Sequence, residues 1–278
     1  MNNHFFQLAS ILLSAVLLLS ACDSADDPAV EETLQTAVNG KYITFGMPET
    51  RSVVSAREAF DYITFALFSG SNKVAEVRQD AEMDGFGRIS MFVPYGKYTV
   101  VAIGNKGQGH ATIENPEKVT FAGDKLGDTF SFTTTITVDA SSDSSYDYTL
   151  VRDVALFQLK VTDNCPDNIG AFRFQVKGAG KVLNPQELCA VAAVQQTITV
   201  DVPSTYRGKP IALNVYLLLP DQTASVDFVI SALATDGTVL NTLPFSGVEM
   251  RRNHISGRTV SFFGTEFSGG LNADTTWE

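Results

Sequence analysis

The chain has 278 residues, with 20 Lys+Arg against 31 Asp+Glu and a formal charge of −11 at pH 7. A surface this acidic has little to offer a phosphate backbone, which argues against nucleic-acid binding. Hydrophobic residues make up 44% and charged ones 18%, enough apolar material for a packed core, so global disorder is excluded. The 19 Phe and 21 Gly, among many Val and Thr, favour strands and turns over long helices.

Phe5 to Leu19 is an apolar run. At about 15 residues it is shorter than a bilayer-spanning helix needs. It ends in Leu19-Ser20-Ala21-Cys22, small residues followed by a thiol. This resembles the lipobox of bacterial lipoproteins, although Met1-Asn2-Asn3-His4 supplies no Lys or Arg. The resemblance implies a signal peptide over 1–21 and acyl chains on Cys22, an anchor whose strength grows with each buried CH₂. Asp23, Asp26, Asp27, Glu31 and Glu32 then give an acidic tether over 22–40. An acidic cluster after the lipidated Cys resembles the signal that sends some lipoproteins to the outer face of the outer membrane. The expected location is therefore the outer membrane, lipid-anchored and surface-exposed.

Strand patterns follow. Lys41–Phe45 is short; Asp61–Ser69 is stronger, with Ile63, Phe65 and Leu67 on one face. Val74–Arg78 and Gly87–Val93 come next. Pro94-Tyr95-Gly96 makes a turn into a strand that alternates Tyr98, Val100 and Ala102 against Thr99, Val101 and Ile103. Gly104 to Gly109 reads as punctuation, with His110 a solvated turn residue. Lys118–Phe121 and Thr129–Val138 close the first series, before a polar loop at 139–145.

A second series comprises Ala155–Thr162, Ala171–Lys177, Gln196–Val202, Ile211–Leu219, Val226–Thr235, Thr238–Leu243 and Thr259–Phe263. Asp236-Gly237 between two apolar runs predicts a hairpin. Asn184, Pro185 and Glu187 predict a capped helix over Asn184–Ala193. The tail from Leu271 to Trp277 alternates as a final pairing strand would. Short strands with Gly/Pro turns predict an all-β protein of β-sandwiches, with domains at 41–150 and 151–278. A single large sandwich is the alternative.

Chemistry is scarce. There are three Cys and three His, and one of each lies in the first 22 residues. His110 and His254 have no Glu or Cys at ligand or triad spacing, and no HExxH, P-loop or GxSxG occurs. Asp163 to Gly170 lacks the alternating ligands and distal Glu of a calcium loop and reads as a turn. No metal, cofactor or enzymatic activity is expected. Cys165 and Cys189 are candidates for a disulfide, which an exported compartment permits, or for two buried thiols. A bridge closing about 25 residues would stabilise by roughly 3 kcal/mol.

Three stretches carry a family resemblance: the lipobox with its acidic follow-on; Phe65-Ala66-Leu67-Phe68 with Pro94-Tyr95-Gly96-Lys97-Tyr98-Thr99-Val100-Val101-Ala102; and Leu150-Val151-Arg152-Asp153-Val154-Ala155 with Gly247 to His254 and Thr259 to Gly264. In this assembly the chain resembles the fimbrillin superfamily of lipoprotein pilins, in particular the fimbrillin-A associated anchor proteins of the minor fimbrium, a type V pilus. The resemblance implies two transthyretin-like Greek-key β-sandwich domains in tandem. It also implies a role in fimbrial anchoring or assembly, with other fimbrial subunits as partners through β-strand addition. In stalk subunits of that kind the first strand is cut away after an Arg and a neighbour's strand fills the groove. Here Lys41–Phe45 is the candidate first strand, and Arg51 and Arg57 are the candidate cuts. Left uncut, the body stays joined to its lipid, as suits an anchor. The alternative reading is a glycan-binding lipoprotein of the outer membrane.

Overall fold

The structure, a computed structural model, describes residues 39–47, 56–107, 109–123 and 126–264, together with the backbone of 269–276. Strands dominate it in both halves of the chain. The first half gives β1 (Gly40–Gly46), the one-turn helix α1 (Ala56–Ala59), β2 (Tyr62–Ser69), β3 (Asn72–Asp80), β4 (Arg88–Pro94), β5 (Gly96–Asn105), β6 (Thr112–Asn115), β7 (Lys118–Thr120), β8 (Thr129–Val138) and β9 (Ser145–Asp147). Then follow β10 (Val151–Arg152), β11 (Val154–Val161), β12 (Ile169–Ala179), β13 (Leu183–Asn184), β14 (Cys189–Ala190) and β15 (Val194–Asp201). The last are β16 (Ile211–Leu218), β17 (Thr223–Ala234), β18 (Val239–Arg251), β19 (His254–Val260) and β20 (Gly269–Thr276).

Among the described residues five sheets result, in the orders β4-β1-β9, β10-β8-β5-β2-β3, β14-β13-β7-β6, β16-β11-β19-β20 and β15-β12-β17-β18. Neighbours run antiparallel except β1 with β9 and β11 with β19, which are parallel. The first two sheets enclose one core, in which Ile43, Phe45, Phe65, Ile89, Val100 and Tyr148 are fully buried. The last two enclose another, built on Phe157, Phe172, Phe174, Phe228 and Phe262. The architecture is thus all-β, with sheets facing each other across apolar cores as in a β-sandwich.

A third core explains why β2 and β5 read as nearly continuous apolar runs. Their second faces, carrying Ala66, Phe68, Val101 and Ile103, are covered by Ile113, Val119, Leu183 and Ala190 of the β14-β13-β7-β6 sheet. Both faces of these strands are therefore dry, so alternation with polar residues is lost. That covering sheet draws strands from both halves of the chain, and the described residues form one compact unit.

Several expected elements differ. The helix predicted over 184–193 is absent: β13, a turn and β14 stand there instead. The Asn184 carboxamide oxygen accepts from the Gln186 amide at 3.0 Å, as in a turn, and Leu188 adopts φ 55°, which a helix cannot contain. Burial of Leu183 and Ala190 in the third core overrides the capping signal. Gly104 does not punctuate; it lies inside β5, packed against Phe60 and Leu150. The strand expected at Thr259–Phe263 is β19, which begins at His254 and ends at Val260, while β18 runs well past Leu243 to Arg251. Strand β6 went unread because Ile113 is its one apolar residue.

Other signals hold. Gly237 has φ 85° in the turn between β17 and β18, with its amide donating to Ala234 O at 2.9 Å and the Asp236 carboxylate accepting from the Thr238 amide. The tail pairs through β20 with β19. The Tyr98 hydroxyl reaches back to donate to Pro94 O at 3.0 Å, which gives the Pro-Tyr-Gly-Lys-Tyr stretch a physical reason.

Candidate functional site: the first strand and its groove

Strand β1 is the central strand of its sheet. Seven of its residues pair antiparallel with β4, from Gly40↔Pro94 to Gly46↔Arg88, and three pair parallel with β9. Its alternation sends Ile43 and Phe45 inward, 0% and 1% exposed. The Phe45 ring lies 4.7 Å from that of Phe65 and stacks on Tyr146 at 5.4 Å. Backbone bonds fix its far end: the Tyr148 amide donates to Gly46 O at 3.0 Å and the Met47 amide to Gly87 O at 3.2 Å. The Lys41 ammonium donates to Ser142 O.

Burial of two such side chains contributes about 3–6 kcal/mol. A body that lost β1 would bare the apolar groove between β4 and β9, floored by Phe65, Ile89 and Tyr148. That groove has the form a replacement strand would fill.

Of the two candidate cuts, Arg51 lies outside the described residues, as do Cys22 and Trp277. Arg57 lies within α1, whose turn is closed by the Phe60 amide donating to Ala56 O at 2.9 Å. Its guanidinium donates to Ala81 O at 2.6 Å and Met83 O at 2.7 Å. Cleavage after Arg57 would need this turn to unwind.

Cys165 and Cys189 are both free thiols. Cys165 is buried in the core of Phe172 and Phe174, whereas Cys189 sits half-buried in β14, its Sγ 3.7 Å from the Glu187 carboxylate. Burial pushes both thiols above their ordinary range, and nearby carboxylates push the same way.

His110 is not a solvated turn residue. Its Nε2 lies 3.2 Å from the Asp80 carboxylate and its ring meets that of Tyr62 edge-on at 4.8 Å. The Asp163 carboxylate holds the segment after β19: it accepts from the amides of Phe262 at 2.8 Å, Phe263, and Gly264 at 2.9 Å, and from the Ser261 hydroxyl. Burial opposes its ionisation, yet these donors hold the carboxyl below its ordinary value. Among the described residues no group of three or more His, Cys, Asp and Glu could hold a metal ion. Among them, too, no helix is long and apolar enough to cross a membrane.

The structure also joins two stretches that the sequence reading paired only by resemblance. Arg152 makes a bidentate pair with Asp128 at 2.9 and 3.1 Å, lies over the Phe130 ring, and donates to the Asn253 carboxamide at 2.9 Å. The Asn253 amide donates to Val154 O. Burial still raises the Asp128 carboxyl, against the pull of Arg152. Asp153 between them is 1% exposed; Oδ1 accepts from Ser131 Oγ at 3.0 Å and Oδ2 has no hydrogen-bond partner. Burial pushes its carboxyl up to about 8.

Two surface features escaped the sequence reading. Strand β10 covers β8 only at Phe130 and Ser131, so from Phe132 to Val138 β8 is paired on one side alone among the described residues. A groove of about 400 Å³ lies there, lined by Phe45, Phe132, Thr135, Asp143 and Tyr146. The other feature is a pair of exposed rings, Tyr42 and Phe92, on the outer face of the β1 sheet. The alternation that buries Ile43 and Phe45 was the signal that could have found it.

No protein-family model matches the chain, and no curated protein matches it. Solved structures do. An adhesin candidate from Bacteroides ovatus ATCC 8483 aligns with TM-score 0.53 at 10% identity, over 80% of this chain and 88% of that one. A second adhesin candidate from Bacteroides ovatus aligns with TM-score 0.54 at 13% identity, over 86% of this chain and 94% of that one. The tip fimbrial protein Mfa3 of Porphyromonas gingivalis, with C-terminal truncation, aligns at 0.45 and 9% identity, over 86% of this chain and 100% of that one. At these identities the first two establish a shared fold: the chain is built as these adhesin candidates are.

Proposed function

We propose that the protein is a surface-anchored fimbrial subunit acting in adhesion, and specifically the anchor or an assembly component of a type V pilus. The observation that carries this reading is β1 itself, seated in the middle of its sheet with Ile43 and Phe45 buried. With its own first strand in place, the groove between β4 and β9 takes no neighbour's strand. A subunit in that state ends a fibre rather than extends it, and its continuous chain keeps the lipid of Cys22 joined to the body. The edge strand β20, paired among the described residues with β19 alone, is the element we assign to strand addition toward other fimbrial subunits. We further take 41–150 and 151–278 as tandem sandwich domains, tied into one compact unit by the shared β14-β13-β7-β6 sheet. The fold shared with adhesin candidates supports adhesion, and we assign no reaction to the chain.

Immunogold labelling of intact cells, with and without the gene, tests this. Label at the base of fibres, and fibres shed into the medium on deletion, is the expected result. Label confined to the cell interior, or fibres unchanged in number and attachment on deletion, contradicts it.

A further inference from the structure

The outer face of the β4-β1-β9 sheet takes no part in the groove. Its residues are set by register. Tyr42 opposes Phe92, Thr44 opposes Ser90, and Gly46 stands between Arg88 on one side and Asp147 on the other. Successive rows lie roughly 6.8 Å apart along the strands, so three rows extend over about 14 Å.

Each row has its own chemistry. Tyr42 is 72% exposed and Phe92 47%, with ring centroids 5.6 Å apart and planes at 70°. Gly40 leaves the room that seats the Phe92 ring: a Cβ there would meet its Cζ at 2.7 Å. The Thr44 and Ser90 hydroxyls lie 2.7 Å apart, sharing one hydrogen bond and keeping a donor and several lone pairs for a third partner. The last row carries one cation and one anion.

We infer that this face binds a neutral oligosaccharide. An aromatic face has a negative quadrupole that attracts the weakly positive C–H face of a pyranose ring. Vicinal sugar hydroxyls pair with hydroxyls and with ionic side chains, which act as donors and acceptors. The charge balance selects a neutral ligand. Arg88 and Asp147 cancel on the face, while the whole chain at −11 repels an anionic polymer. A protein partner suits the face less, because past the two rings it is hydroxyl and ionic, with no apolar core to bury. The inference rests on the adhesion reading and names the class of ligand adhesion would use.

The test is a glycan array probed with the full-length chain in detergent. The array carries neutral gluco-, manno-, xylo- and galacto-oligosaccharides beside sulfated and sialylated glycans, and calorimetry follows on any that bind. At least one neutral oligosaccharide is expected to bind. Tyr42→Ala should weaken it by about tenfold, and Tyr42→Phe, which keeps the ring, should leave it nearly unchanged. Thr44→Val should weaken it without altering the circular dichroism spectrum. No neutral ligand, binding to anionic glycans alone, or undiminished binding by a folded Tyr42→Ala protein overturns the inference. Whole-cell adhesion separates it from the reading beneath. If the deletion strain loses adhesion but Tyr42→Ala cells keep it, adhesion stands and the saccharide site falls. If the deletion strain adheres as the parent does, the adhesion reading falls, and binding by the purified chain still decides the site.

Discussion

The Phe45 ring of β1 lies against the Phe65 ring of β2, centroids 4.7 Å apart and planes tilted by 46°. This contact joins the first strand to the opposite sheet across the core. It makes β1 a structural member of the body rather than a leader laid on its surface.

Phe45→Ala should therefore destabilise the body by about 3–5 kcal/mol, since a fully buried ring is replaced by a cavity. Tyr42→Ala, one turn of the alternation outward, should change stability by under about 0.5 kcal/mol. Denaturant midpoints of the two variants check this pair.

Arg57 and Arg51 should respond differently to an Arg-specific protease. The bond after Arg57 sits in a helical turn with its guanidinium held by Ala81 O and Met83 O, and should resist. Under native conditions any cut between β1 and β2 should fall at Arg51. The β1 fragment should then stay associated until denaturant is added. Native and denaturing mass spectrometry of the digest reads both outcomes.

Arg152 holds the Asp128 carboxylate, the Asn253 carboxamide and the Phe130 ring at once. Arg152→Ala leaves the Asp128 carboxylate, itself largely buried, without its cation and frees the Asn253 carboxamide, which should cost about 3–5 kcal/mol. Arg152→Lys should recover only part of that, since a point charge cannot replace the bidentate fork. Thermal melts of the two variants check the difference.

Asp153 gives a pH dependence with a definite sign. Its folded value of about 8 stands above its ordinary 3.8. Between those values the unfolded chain has lost the proton and the folded carboxyl keeps it. This group therefore costs the fold progressively more as pH rises from about 4 to 8, by at most about 1.4 kcal/mol per pH unit, and no more beyond. Asp153→Asn should flatten that slope and raise stability at pH 7. Denaturant melts at pH 5, 7 and 8.5, side by side, measure it.

Thiol chemistry separates the two cysteines. Native alkylation should label Cys189 slowly and leave Cys165 untouched. Unfolding without reductant should expose both as free thiols. A mass corresponding to one internal bridge would contradict the free pair in the structure.

Most strands could be read locally. Apolar patterning placed β1, β2, β5, β8 and β11 within a residue or two, because each lays at least one apolar row on a core, and β2 and β5 lay two. Asn184 and Pro185 misled for the opposite reason: their capping chemistry is genuine but serves a turn, and the choice is made by Leu183 and Ala190 finding a distant sheet. The third core was hidden because it draws on β6, β7, β13 and β14, each too short to show a period. The Arg152 network joins residues up to 101 apart in sequence, with no local pattern to reveal it. Of the site, Lys41–Phe45 was legible as a strand. Its central place in the sheet, and the use of its outer face, depend on β4 and β9 arriving beside it.

The central claim is that the mature protein keeps its first strand on one unbroken chain. Intact-mass analysis of the protein recovered from the outer face of whole cells tests it most directly. The account predicts a single species that begins at acylated Cys22 and carries β1 and the rest of the body on the same chain. A species beginning at Ser52, with β1 and the lipid gone, would contradict it and make the protein a stalk subunit.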